Sequence, residues 1–180
     1  MSITTHEPVS LELLRKFDVQ GPRYTSYPTA DRFVEAFTAD DYAQALTQRR
    51  NGASALALPL SLYVHVPFCE SLCYYCACNK IITRHHERAK PYLEYLEREV
   101  ALHTALLGTQ QKVTQLHLGG GSPTFLSDEE LRGLMDMLRK HFQFVSGGEY
   151  AIEVDPRTVD AGRLGALADM GFNRLSFGVQ

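Results

Sequence analysis

The strongest constraint on this chain is a ten-residue stretch, residues 69–78, that holds all four of its cysteines. They are Cys69, Cys73, Cys76 and Cys78. Disulfides between neighbours this close in sequence would form small, strained rings, and the sequence shows no secretory signal. The crowding therefore predicts a metal site or a reactive thiol in a reducing compartment, which we expect to be the cytoplasm.

These cysteines could form either of two kinds of metal site, a zinc site or an iron–sulfur cluster. Zinc sites usually pair two C-x2-C knuckles or join one knuckle to a distant histidine pair, whereas Cys73-x2-Cys76 stands alone. The adjacent His85 and His86 do not have the spacing of metal ligands. Three cysteines spaced by three and two residues can instead hold three corners of a cubane iron–sulfur cluster, whose fourth iron stays open to a small molecule.

The spacing Cys69-x3-Cys73-x2-Cys76, with the aromatic Tyr75 before the third cysteine, resembles the signature of the radical S-adenosylmethionine (SAM) enzymes. Three further features narrow the resemblance to the oxygen-independent coproporphyrinogen III oxidases. They are YVHVPF at residues 63–68, Cys78 two residues after the third cysteine, and GPRYTSYPT at residues 21–29. The resemblance runs from about Leu11 to Gln180, nearly the whole chain.

This resemblance implies a [4Fe–4S] cluster held by Cys69, Cys73 and Cys76, with SAM on its open iron. The expected SAM contacts are Tyr63, Tyr75, Gly120, Gly121, Ser122, Glu153 and Gln180. Family enzymes are described with a second SAM beside the first, and the contacts expected for it are Tyr75, Gly121, Ser122 and Gln180. Cys78 matches a family position that is not a cluster ligand; without the resemblance it would be a nearby buried thiol.

Several of these residues also have plain structural interpretations. The glycines at residues 119–121 permit close approach of the backbone to a ligand, but a flexible linker would use them too. Glu153 is as consistent with an ordinary salt bridge as with a ligand contact. Arg23 and Tyr24 offer a cation and a stacking surface for a carboxylated substrate, although segments rich in Pro, Thr and Tyr are usually irregular surface loops.

The activity implied by the resemblance is SAM-dependent oxidative decarboxylation of two propionate side chains of coproporphyrinogen III to vinyl groups. The product is protoporphyrinogen IX, made for haem synthesis without oxygen. An electron donor and a terminal acceptor are implied as partners, and the sequence identifies neither. The formal net charge of −3 gives no overall attraction to nucleic acid or to an anionic membrane, and no run approaches the roughly 18 apolar residues of a membrane span. A full-length enzyme of this kind is expected to be a monomer.

The hydrophobic patterns predict alternating strands and helices, which is typical of an α/β fold. Strands are predicted at residues 60–66, 113–118, 149–155 and 172–177, and helices between them at residues 91–107, 127–142 and 159–170. The residues of unusual chemistry follow strands, so they should meet at the carboxyl end of a parallel sheet. The resemblance makes this sheet the first four strands of a partial radical SAM (β/α)6-type barrel.

The predicted organisation is a mostly helical and irregular accessory segment, residues 1–58, followed by a barrel portion, residues 59–180. Family members are more than twice this length, with two further barrel strands and a C-terminal domain, so we expect an N-terminal portion. Three alternatives remain open. They are a haem-carrying chaperone of the same superfamily, a structural module that holds zinc, and a truncated, catalytically inert metal-binding fragment.

Overall fold

The structure, a computed structural model, describes residues 10–18, 29–52, 58–74, 76 and 78–178. The backbone divides into two compact units, Met1–Ala39 and Asp40–Gln180. The family-domain boundary predicted between residues 58 and 59 stays a prediction. None of the described helices is both long enough and apolar enough to cross a membrane.

The described residues include five α-helices. They are α1 (Leu11–Phe17), α2 (Ala39–Asn51), α3 (Ala89–Leu107), α4 (Asp128–His141) and α5 (Ala161–Asp169). Helix α1 lies in the first unit and begins after Ser10, whose hydroxyl accepts a hydrogen bond from the Leu13 N–H at 3.2 Å. Helix α3 ends at Gly108, which has φ of 86°, a conformation that glycine adopts without a steric penalty.

Six strands are described. They are β1 (Leu60–Val66), β2 (Phe68–Cys69), β3 (Ile81–Ile82), β4 (Gln111–Gly120), β5 (Phe142–Val154) and β6 (Arg174–Phe177). Four of them form a parallel sheet in the order β1-β4-β5-β6, and β2 pairs with β3 separately. The prediction of an α/β fold with four parallel strands is therefore confirmed.

Helix α4 shows how local sequence sets an element. The Glu130 N–H donates to the Ser127 hydroxyl at 3.2 Å, and the Ser127 N–H donates to the Glu130 carboxylate at 2.8 Å. This capping box satisfies two of the free donors at the start of the helix. The apolar stripe that follows is buried and consists of Leu131, Leu134, Met135 and Leu138. The helix predicted at residues 127–142 is confirmed, with Asp128–His141 as its bounds.

The two faces of the four-stranded sheet differ in character because side chains alternate along each strand. Val64, Leu118 and Ile152 lie opposite one another in register and are buried in the core that includes the α4 stripe. Burying each such side chain stabilises the fold by roughly 1.5–3 kcal/mol. The other face carries Tyr63 and His117, which are also paired in register, and it remains open enough to receive a ligand.

Three strands have different bounds from those predicted, and the smallest change is in β6, which begins at Arg174 rather than at residue 172. β4 continues two residues further, through Gly119 and Gly120. β5 begins at Phe142 rather than at residue 149, directly after α4. Its first residues pair with the start of β4, and the register then shifts around the bulge at residues 145–148, where Gly147 has φ of 80°. The bulge interrupts the alternation that the sequence prediction required.

Candidate functional site

The cysteine loop, residues 69–80, is closed at its base by the small sheet of β2 and β3. The Ile81 N–H donates to the Pro67 carbonyl at 2.7 Å, and the Thr83 N–H donates to the Cys69 carbonyl at 2.8 Å. These bonds hold the first cysteine next to the end of β1. The sequence patterns did not predict this pairing.

The thiols of Cys69, Cys73 and Cys76 are free and half-buried, and the Cys76 N–H donates to the Cys73 carbonyl at 3.3 Å. No three His, Cys, Asp or Glu side chains within the described ranges lie close enough together to hold a single metal ion. A cubane cluster is bound differently, because each thiolate binds a different iron atom. Three free thiols on a clamped loop are a donor set that fits such a cluster.

The loop contains groups that favour the thiolate form. The Cys78 N–H donates to the Cys76 sulfur at 3.3 Å, and this hydrogen bond lowers the pKa of Cys76. Burial raises the pKa of Cys69, as does the charge of Cys76, and the Lys80 ammonium opposes both effects. Lys80 also donates to the Cys76 carbonyl at 2.8 Å. A cation thus lies among the thiols, whose ionised form is the one that binds metal.

Cys78 differs from the expectation of a buried thiol. Its side chain is exposed. A hydrogen bond from its thiol to Cys76 raises the pKa of Cys78, and burial and the Cys76 charge raise it further. In this arrangement Cys78 acts on Cys76 through both its backbone N–H and its thiol.

The glycine loop, residues 119–124, pairs directly with the chain that leads into the cysteine loop. The Gly121 N–H donates to the Val66 carbonyl and the Ser122 N–H donates to the Phe68 carbonyl, each at 2.8 Å. Gly120 has φ of 113°, which favours glycine. A Cβ atom on Gly121 would lie 2.7 Å from the Phe68 carbonyl oxygen and 2.9 Å from the Cys69 sulfur. The glycines therefore permit a close backbone approach, and the flexible-linker interpretation is wrong.

The polar face of the sheet carries a connected set of side chains. His117 Nε2 lies 3.1 Å from Glu153 Oε1, and the His117 ring stacks on Tyr63 with centroids 5.8 Å apart. His65 Nε2 lies 2.8 Å from the Asn79 carbonyl, so this nitrogen carries the hydrogen. The Tyr63 hydroxyl then donates to His65 Nδ1 at 2.9 Å. These contacts link β1, β4, β5 and the cysteine loop.

Electrostatic coupling shows that the predicted residues converge. Burial raises the pKa of Tyr63, and the charges of Glu153 and Cys78 raise it further. The Glu153 charge also acts against ionisation of Cys76, although the hydrogen bonds from Cys78 dominate there. Tyr63, Glu153 and the cysteine loop are therefore neighbours at the carboxyl end of the sheet, as parallel α/β geometry predicts.

Two further contacts connect the loops at this end of the sheet. Arg157 binds both oxygens of Asp155, at 2.6 Å at the closest, and donates to the Ser71 hydroxyl at 3.1 Å. These hydrogen bonds lower the pKa of Asp155. Asp155 also accepts a hydrogen bond from the Arg157 N–H, so it caps the turn after β5. A hydroxyl chain joins Ser122, Thr124 and Thr158, with oxygens 3.2 Å and 2.7 Å apart.

Four predicted site residues lie outside the described part of the chain. They are Arg23, Tyr24, Tyr75 and Gln180. The structure brings together the other predicted residues, namely Cys69, Cys73, Cys76, Tyr63, Gly120, Gly121, Ser122 and Glu153. Their roles toward a cofactor stay predictions.

Sequence reasoning missed the polar partners of these residues. His65 and His117 lie on the same face of the sheet as Tyr63, and Lys80 and Arg157 lie in the loops that follow strands. The alternation Tyr63-x-His65 on β1 was a signal that could have been used, since both side chains point to one face. The contact of Arg157 with the cysteine loop had no such signal, because Ser71 is 86 residues away.

Comparison with known proteins decides the family. Residues 63–180 match the Radical SAM superfamily. The chain belongs to the radical SAM superfamily. Membership implies an iron–sulfur cluster and SAM as cofactors, in agreement with the donor set of the cysteine loop.

Relatives within the superfamily are oxygen-independent coproporphyrinogen III oxidases. The chain is 50% identical over 171 residues to the oxidase of Pseudomonas aeruginosa and 48% identical over 170 residues to that of Escherichia coli. Each alignment covers 94% of this chain and 36% of the relative, so this radical SAM chain spans about a third of their length. A relative from Mannheimia haemolytica is 47% identical over 146 residues, with 81% of this chain and 95% of that relative covered.

The fold agrees with a solved structure of coproporphyrinogen III oxidase from Escherichia coli, which is described as a radical SAM enzyme. The TM-score is 0.79 at 46% identity, and the match covers 93% of this chain and 36% of that chain. The predicted fold, a partial radical SAM barrel with four strands present, is therefore confirmed.

Proposed function

We propose that this chain carries the cluster-binding and SAM-binding portion of an oxygen-independent coproporphyrinogen III oxidase. The observation that carries the proposal is the junction of three free cysteines, the close-packed glycine loop and Glu153 of the polar face at one end of the sheet. Identity of 48–50% to oxidases of this name supports the choice of substrate. The substrate is coproporphyrinogen III, and its two propionate side chains become vinyl groups.

The cysteine loop supplies the cluster ligands in this proposal. Cys69, Cys73 and Cys76 bind three irons through their sulfurs, while the N–H of Cys78 stabilises the Cys76 thiolate. Lys80 offsets part of the negative charge that three thiolates bring into one loop. When bound, the cluster and SAM together supply a one-electron cleavage that yields a carbon radical able to abstract hydrogen from the substrate.

The glycine loop and the polar face bind and orient SAM. The amides of Gly121 and Ser122 already donate to β1 and to the chain after it, so this loop offers the SAM amino group carbonyl oxygens as acceptors. Glu153 accepts hydrogen bonds from the ribose hydroxyls, and Tyr63 borders the same space. Tyr75 and Gln180 complete the contacts and, with Gly121 and Ser122, are the residues for a second SAM.

Substrate binding is assigned to the segment at residues 21–29. A porphyrinogen with four carboxylates needs cations, and the Arg23 guanidinium can pair with a carboxylate through two parallel hydrogen bonds. Tyr24 offers a ring for stacking on one pyrrole ring of the substrate. The electrons come from a separate donor, and four free thiols suit a reducing compartment such as the cytoplasm.

The proposal is tested by anaerobic turnover. The chain is reconstituted with iron and sulfide and incubated with SAM, a low-potential reductant and coproporphyrinogen III. The porphyrins are then oxidised and separated by chromatography with mass detection. We expect SAM-dependent vinyl products that are absent with Cys76→Ala. SAM cleavage without vinyl products would contradict the porphyrinogen assignment alone. Tight haem binding without SAM cleavage would favour the chaperone, and absence of both would overturn the proposal for this chain.

A further inference from the structure

The His117–Glu153 pair lies on the polar face of the sheet, beside the cysteine loop. His117 Nε2 and Glu153 Oε1 are 3.1 Å apart. The side chains are 38% and 40% exposed, so the pair is open to the space in front of the sheet and is not a buried structural bridge. This exposure leaves room for a ligand against the carboxylate.

The chemistry of the two groups fixes the direction of the hydrogen bond. An ionised carboxylate only accepts, so His117 donates through Nε2–H. The bond limits rotation of the carboxylate about its last side-chain torsion. A carboxylate has about four lone-pair sites, so Oε2 and a further site on Oε1 remain available to a ligand.

Three features of the sheet keep His117 in this position. Its ring stacks on Tyr63 at an interplanar angle of 12°. Ala151, its register partner on β5, is small enough for the imidazole to lean toward Glu153. Gly119 lacks the Cβ atom that would lie 3.0 Å from His117 Nε2 and 3.1 Å from Glu153 Oε1. The sequence around the pair thus leaves space for this one hydrogen bond.

We propose that His117 is a positioning residue that holds the Glu153 carboxylate in the orientation needed to accept both hydroxyls of a ribose. A vicinal diol donates two nearly parallel hydrogen bonds, and a carboxylate accepts both only when its oxygens point at the diol and the hydroxyls lie near the carboxylate plane. An exposed glutamate without a partner would have to lose its side-chain freedom on binding. The inference rests on the proposed function, since it requires SAM as the nucleoside ligand.

The test measures SAM affinity by equilibrium dialysis on the anaerobically reconstituted chain, with iron content determined for each sample. His117→Phe keeps a ring against Tyr63 but removes the donor, and it should weaken SAM binding about tenfold, the typical effect of a hydrogen bond to a charged group. His117→Gln can still donate to Glu153 and should bind SAM nearly as the wild type does. Gly119→Ala, which crowds the pair, should weaken binding as His117→Phe does.

A ligand analogue separates positioning from a general structural effect. Removing the ribose 2′-hydroxyl from SAM should weaken binding to the wild type, and His117→Phe should then weaken it little further. His103→Phe is the matched control, because His103 also contacts a tyrosine, Tyr42, at 2.9 Å. This control should bind SAM as the wild type does.

The outcomes distinguish the inference from the proposed function. Failure of the iron-loaded wild type to bind SAM would overturn the proposed function and the inference together. Unchanged SAM affinity in His117→Phe, with a wild type that binds, would overturn the inference alone. Equal weakening of SAM and of the 2′-deoxy analogue by His117→Phe would do the same. If His117→Phe fails to retain iron, the SAM affinities of the other two variants test the inference. His117→Gln should then bind SAM nearly as the wild type does, and Gly119→Ala should bind it more weakly; equal affinities would overturn the inference.

Discussion

The closest packing in the site is at Gly121, and replacing it with alanine should be strongly destabilising. The added Cβ would lie 2.7 Å from the Phe68 carbonyl oxygen, 2.8 Å from the Pro67 carbonyl oxygen and 2.9 Å from the Cys69 sulfur. The φ of Gly121 is not in the positive range that favours glycine, so the effect comes from contact alone.

The loss in the free energy of unfolding depends on how the clash around the added Cβ atom can be relieved. The two carbonyls are fixed, because the Pro67 oxygen accepts from Ile81 and Phe68 pairs with Ile81 in the β2–β3 sheet. The glycine loop must therefore move away, which weakens the Gly121–Val66 and Ser122–Phe68 hydrogen bonds, each worth about 1 kcal/mol. Overpacking itself typically costs 1–3 kcal/mol. We expect the free energy of unfolding to fall by about 3 kcal/mol.

The assay is urea unfolding of the reduced chain without cluster, followed by circular dichroism. Gly133→Ala is the matched control, because Gly133 lies within α4 and no atom is within 4 Å of its added Cβ. Alanine there should stabilise the chain by about 1 kcal/mol, since glycine is a poor helix former. A Gly121→Ala variant that unfolds within about 0.5 kcal/mol of the wild type, the range of ordinary surface changes, would refute this reasoning.

Four other changes test the account. Ile152→Ala, in the fully buried centre of the sheet, should lower the free energy of unfolding by roughly 2–5 kcal/mol in urea. Ser127→Ala, which removes the α4 cap, should lower it by about 1 kcal/mol, and Ser10→Ala is the comparison at a helix cap in the other unit. Lys80→Met should lower the midpoint potential of a reconstituted cluster in a redox titration, because a positive charge near the thiols is removed, whereas the exposed Lys90→Met should leave it unchanged. Burial raises the pKa of Tyr92 to about 12, and its hydroxyl donates to the His65 carbonyl at 2.8 Å. The folded pKa of Tyr92 exceeds the unfolded value of about 10. The stabilisation of the folded state by the protonated Tyr92 hydroxyl is therefore complete below pH 10 and is lost as the pH rises through 12. Tyr92→Phe should therefore be less stable than the wild type at neutral pH, and unfolding measured at rising pH should show that deficit shrink between about pH 10 and 12; a constant deficit would contradict the assignment.

Much of the architecture could be predicted from local patterns. β1 was predicted residue for residue, because its apolar run ends at Pro67, and α4 was predicted to within one residue at each end. The start of β5 could not be predicted, since Phe142 follows α4 without a turn residue and a bulge interrupts the strand. The pairing of β2 with β3 joins two-residue strands across the cysteine loop, and strands so short have no periodic signal.

The candidate site also contains residues that the sequence identified and residues that it did not. The cysteines, the glycines and Glu153 stand out in the sequence because each residue type is unusual where it occurs. Their partners depend on register between distant strands: His117 meets Glu153 only because β4 and β5 pair in parallel, 36 residues apart. Ordinary residues that act on such neighbours carry no signal until the fold brings them together.

The central claim, that Cys69, Cys73 and Cys76 bind a cluster that in turn binds SAM, is tested most directly by metal analysis and electron paramagnetic resonance. Anaerobically reconstituted chain should contain about four irons and four sulfides, and SAM should change the spectrum of the reduced cluster. Cys76→Ala should lose this spectral change, whereas Cys78→Ala, at the exposed cysteine that is not a proposed ligand, should keep it. Zinc in place of iron, or a SAM-dependent spectrum that survives in Cys76→Ala, would contradict the claim.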